Sequence, residues 1–101
     1  MVDERTKKLA HLCVHYSVNV KPKEKVVIRG STQASPLITE IYKQCLLKDA
    51  YPWVLPNLYI DYTFFKHAKK HQLEFVSPFD TFIYENMDVS ITILSNPIRK
   101  D

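Results

Sequence analysis

The sequence predicts an α/β fold: a three-stranded parallel sheet in the order 2-1-3 with helices on both faces, a partial Rossmann-like domain. Three observations lead there. Runs suited to strands at Lys25–Arg29, Pro52–Asn57 and Val89–Leu94 alternate with segments of helical period, and helical crossovers between strands make a parallel sheet. The first run, KVVIR, has three consecutive apolar residues, as expected of a strand buried on both faces. The second, PWVLPN, carries two prolines. Proline cannot donate to a ladder, so this strand belongs at a sheet edge. Right-handed crossovers then leave the first strand in the centre.

The elements follow in order. Asp3 to about Val18 reads as an amphipathic helix, with Leu9, Leu12, Cys13, Tyr16 and Val20 on one face. Asp3 and Glu4 place negative charge at its start, where the helix dipole favours it. Asn19 can end it, and Pro22 in KPKEK blocks continuation. After the first strand, Ser35-Pro36 resembles an N-cap followed by proline at the first helical position. Leu37, Ile38, Ile41, Tyr42, Cys45 and Leu47 form the apolar side of a helix running to about Lys48. Beyond the second strand, Ile60–His71 reads as helix and His71–Val76 as a further helical piece. Pro78 starts another helix that ends near Asn86. VSITIL then forms the third strand, and the tail SNPIRKD is polar and expected to be loose.

The third strand also lies at an edge in this order, with no charge, proline or bulge to guard it. Such an edge normally has a neighbour. Either another chain pairs with it, or the chain is the front part of a larger domain.

Composition narrows the function classes. The 101 residues suit one domain, with 46% hydrophobic and 25% charged residues, ordinary values for a folded soluble protein. The net charge is +3, with scattered lysines and no arginine-rich run, so a solvated surface is a better account than a nucleic-acid interface. No apolar run approaches the roughly 20 residues of a membrane span. The N-terminus lacks the apolar core of a signal peptide, so a cytoplasmic location is expected. Cys13 and Cys45 do not make a disulfide framework and read as buried reduced thiols.

Candidate chemistry is sparse. Gly30-Ser31-Thr32 lies between strand and helix, where phosphate loops occur. Dinucleotide and P-loop fingerprints need further glycines or a lysine that are missing here. Ser31 and Thr32 can still offer hydroxyls and amides to an anion, but a tight βα turn capped at Thr32 or Ser35 accounts for the pattern. His11 and His15, and His67 and His71, stand four apart, a spacing that can chelate zinc on a helix. HxxxH lacks the glutamate of HExxH, and two histidines do not close a tetrahedral site. No GxSxG elbow exists, neither cysteine stands in a reactive context, and no spacing pairs Asp61, Glu74, Asp80, Glu85 or Asp88. Phe64, Phe65, Phe75, Phe79 and Phe82 are expected in the core. Their alternative role is a partner-facing apolar surface. No catalytic, cofactor-binding or metal residue is assigned.

Tyr16-Ser17, Val20-Lys21-Pro22, Glu24, Val26, Ile28, Gly30, Pro36-Leu37 and Ala50-Tyr51-Pro52 resemble, in order, the amino-terminal region of the thermophilic metallo-aminopeptidases of the aminopeptidase T and aminopeptidase S type. Gln72–Phe79 and Tyr84–Ser95 also look like that family, so the resemblance covers about 95 residues. Two of the family's glycines are replaced, one by Lys23 and one by Asp49 or its neighbour. Each loss removes a residue that tolerates positive φ. The resemblance implies a parent enzyme that binds two divalent ions (zinc, cobalt or magnesium) and removes N-terminal residues from peptides. Its metal ligands lie in a carboxy-terminal domain, and no position here matches them. Residues 1–101 are therefore expected to be a non-catalytic amino-terminal α/β domain, inactive alone and without the catalytic carboxy-terminal domain. Whether it is a fragment or a short stand-alone relative stays open. Scaffolding, covering the cleft or dimerisation are the roles implied, with a homo-oligomer or the catalytic domain as partner, and no nucleic acid or membrane. The alternative is a stand-alone interaction module dimerising through the Val89–Leu94 edge.

Overall fold

The computed structural model describes residues 3–58 and 60–94; the expected loose tail, Ser95–Asp101, lies outside them. Helix α1 spans Glu4–Leu12 and continues as a π-turn, Cys13–Ser17. Strand β1 spans Lys25–Ser31, followed by a 3₁₀ turn, Thr32–Ala34, and helix α2, Ser35–Leu47. Strand β2 is Tyr51–Asn57. Helices α3 (Asp61–His67), α4 (Lys70–Glu74) and α5 (Pro78–Asn86) follow, and strand β3 is Val89–Ile93.

The sheet has the order β2-β1-β3, and both pairings are parallel, as the sequence predicts. Val26, Ile28 and Gly30 of β1 align with Pro52, Val54 and Pro56 on one side and with Val89, Ile91 and Ile93 on the other. Alternation puts these nine positions on one face, which α1 and α2 cover. The core lies there: Ala10, Val14, Val20, Val26, Ile28, Ile38, Ile41, Cys45 and Ile91 are buried together. A fully buried Ile or Val contributes about 1.5–3 kcal/mol by leaving water. On the opposite face Val27 is buried, but Trp53 is 49% exposed and Leu55 is exposed.

Local chemistry sets the element ends. Asp3 caps α1 by accepting from the Thr6 N–H at 2.8 Å. This hydrogen bond holds the Asp3 carboxyl below the ordinary range. The Ser35 cap is corrected: Ala34 occupies that position without a side-chain cap, and Ser35 is the first helical residue. Pro36 still starts α2, where its missing N–H has no helical partner to lose. At α5, Ser77 Oγ accepts from the Phe79 and Asp80 amides at 3.2 and 3.5 Å, ahead of Pro78. The single long helix expected over Ile60–His71 breaks instead. Ala68 adopts an extended conformation, and α4 begins after Lys69, whose N–H is taken by Gln72 Oε1 at 2.9 Å.

Two further expectations are overturned. Leu9, Leu12 and Tyr16 do not face the core; they are 54%, 52% and 71% exposed, while Ala10 and Val14 are buried. Their small side chains suit an intimate approach of α1 to α2 and the sheet. The π-turn then carries the chain inward, with the Val20 N–H donating to Val14 O at 2.9 Å. Likewise Phe64, Phe65, Phe75, Phe79 and Phe82 are all exposed, Phe79 at 79%. α3 to α5 present an aromatic surface instead of a core.

Both predicted glycine substitutions fall where the backbone needs positive φ: Lys23 at 66° and Asp49 at 65°, with Asn19 at 53°. The first two turns touch, the Lys23 N–H donating to Asp49 O at 2.8 Å. The family's bends are retained with residues less suited to them.

Candidate functional site

Gly30 serves packing. A Cβ there would meet Ile38 Cδ1 at 2.8 Å and Ile93 Cβ at 3.2 Å, so the glycine lets α2 and β3 close on the central strand. Its φ is not positive. Beside it, a cleft of about 420 Å³ runs between α2 and β2, bordered by Ser31, Thr32, Ser35, Ile38, Tyr42 and Pro56 among others. No cationic side chain borders it, so nothing there neutralises a phosphate. Ser31 is buried and its Oγ has no hydrogen-bond partner. Alternation along β1 assigns that side chain to the Val27 and Arg29 side, away from α2.

The α1 histidines come together, but not as a metal centre. The rings of His11 and His15 stack with centroids 4.0 Å apart. The Nε2 of His15 donates to Gln44 Oε1 at 2.9 Å, which ties α1 to α2. His67 and His71 fall on separate helices, so their expected common face is lost. Among the described residues, no group of three or more His, Cys, Asp or Glu gathers to hold a metal ion. The residues described here therefore do not fit a dinuclear centre.

The cysteines are inert by environment. Both are free thiols, Cys45 buried and Cys13 half-buried. Burial, with a smaller contribution from Cys13, pushes the Cys45 thiol up to about 11, and burial alone raises Cys13. Neither supplies a thiolate near neutral pH. Of the candidate carboxylates, Asp80 lies 3.9 Å from Arg29. Asp88 Oδ2 accepts the Lys25 N–H at 2.9 Å, and the Asp88 N–H returns to Lys25 O at 2.9 Å. Both are structural, linking α5 and β3 to β1.

What the fold leaves open is surface. Trp53, Leu55, Phe82 and Met87 border an apolar groove between the outer sheet face and α5. It adjoins the exposed aromatics of α3 to α5. Contiguous apolar surface of this kind marks an interaction site. The sequence signal was five phenylalanines at helical spacing, which says that they face something but not whether that lies within the chain.

The thermophilic metalloprotease (M29) family model matches residues 2–100. The chain belongs to that family. No curated protein matches it. Membership accords with the order of the Tyr16–Pro52 motifs and gives the chain a metallo-aminopeptidase relationship. In the described residues, no helix is long and apolar enough to cross a membrane.

Proposed function

We propose that this chain acts as the non-catalytic amino-terminal domain of a dinuclear metal-dependent aminopeptidase, supporting the enzyme as scaffold or cleft cover. The observation that carries this is the aromatic surface of α3 to α5. It is too apolar to be left in water, and it occurs in a member of a metalloprotease family whose described residues gather no ligand set. Membership supports peptide as the substrate of the parent activity and two divalent ions as its cofactors. The chemistry they supply is an activated water that attacks the scissile carbonyl. Nothing in this chain's described residues takes that step. A cytoplasmic location accords with two free thiols and no apolar leader.

The test is addition of the metal-holding domain of an M29 metalloprotease, expressed alone, to this chain. Binding should shift Trp53 emission to the blue as its exposed ring leaves water. An unchanged spectrum with no co-migration would remove the proposal, as would aminopeptidase turnover by this chain alone with added zinc or cobalt.

A second role, an interaction module assembling through Val89–Leu94, is favoured by a different observation: β3 is an uncharged edge strand without proline.

A further inference from the structure

The two margins of the sheet are chemically unlike. In β2, Pro52 and Pro56 each remove an N–H, which a sheet tolerates where that N–H would face solvent. The outer margin of β2 is therefore short of donors. β3 has no such gap. Its residues pair only with β1, and Asp88, the charge at its start, is held by Lys25.

The helix beside this margin is also unfinished. One flank of α2 borders Val54 and Pro56 of β2 through Ser35, Ile38 and Tyr42, and on the other Gln44 holds His15. α1 thus sits on the β3 side of the core face. With Ala10 and Val14 inward and the histidines toward α2, Leu9 and Tyr16, seven residues apart, fall on the flank away from α2. Both are exposed. An open strand margin and an unpartnered apolar stripe occupy the same side of the molecule.

We propose that they form one surface for a second copy of this chain, with β3 paired antiparallel to β3 about a two-fold axis at Ile91. This rests on the interaction-module role and specifies its partner and register. Self-pairing centred on Ile91 sets Val89 against the partner's Ile93 on the core face. On the other face it sets Ser90 against the partner's Thr92. Apolar meets apolar, hydroxyl meets hydroxyl, and no like charges are opposed. The same rotation brings the two α1 stripes together above the new ladder.

Sedimentation velocity on the 101-residue chain across a concentration series is expected to show a dimer. Ser90 and Thr92 are exposed, so replacing them should leave the melting curve unchanged. Ser90→Lys with Thr92→Lys opposes lysines twice across the axis and should weaken the dimer about tenfold or more, a change of roughly 1.4 kcal/mol or above. Ser90→Lys with Thr92→Glu sets each lysine against a glutamate and should restore it. Leu9→Ser with Tyr16→Ser should weaken it again. A monomer throughout would overturn both this inference and the module role. A dimer indifferent to the charges at 90 and 92 would overturn this inference alone and leave assembly through another face.

Discussion

At Gly30 a single methyl group would have to displace Ile38 Cδ1, the end of a flexible side chain, and press on Ile93 Cβ, which is fixed to β3. Gly30→Ala is expected to destabilise the fold by about 1–3 kcal/mol, seen as a lower urea midpoint at unchanged slope. The glycine's importance was legible from its place between strand and helix. Its purpose was not, because a spatial clash with β3 cannot be read from local sequence. Lys23 and Asp49 give the opposite case. Their loss of glycine was visible in the family pattern, and both hold positive φ. Lys23→Gly and Asp49→Gly should each stabilise by about 0.5–1 kcal/mol in thermal melts, and because the two turns share a hydrogen bond the double variant need not be additive. Cys45 carries a pH dependence. Its thiol moves from 9.0 to about 11 on folding, so the unfolded chain loses the proton first. The contribution is intact below about pH 9 and is lost as pH rises through the folded value. Comparing urea midpoints of the wild type and Cys45→Val across that window isolates it from lysine and tyrosine titration; the variant should show the shallower decline.

Among the elements, prolines and caps were the readable part. Pro36 and Pro78 mark helix starts because proline fits only there, and Pro52 and Pro56 mark an edge because they remove donors. Faces were harder to read. α1 offered a large apolar stripe, Leu9, Leu12 and Tyr16, and a small one, Ala10 and Val14; helical spacing does not say which is covered. The π-turn leaves no simple side-chain signature, since it rests on the Val18 N–H reaching Cys13 O at 2.9 Å. Stability should follow the same division. β1 and α2 lie in the buried core, whereas α3, α4 and α5 contain no buried residue. Amide exchange is expected to be fast in α3 and α4 and slow in β1 and α2; equal protection would contradict this packing. The Arg29–Asp80 contact spanning sheet and α5 is 3.9 Å long with Asp80 largely exposed, so Asp80→Ala should cost less than about 1 kcal/mol.

For the whole molecule, the aromatic surface of α3 to α5 governs behaviour in solution. Phe75→Ser with Phe79→Ser changes two exposed residues. It should leave stability within about 0.5 kcal/mol per site while raising solubility and abolishing binding to the metal-holding domain. A marked drop in melting temperature would mean that these rings pack within the chain after all. Fold class and strand order were accessible from the sequence because they follow from alternation and crossover rules acting along one chain. The binding surface was not, since burial against a partner and burial within the chain produce the same pattern of apolar residues. The prolines of β2 have a consequence for growth. A sheet open at both margins could add copies without limit, each addition leaving a fresh end, and the product would be a fibre. With one margin poor in donors, joining two copies at β3 exhausts the reactive ends, so polymerisation terminates at the first step.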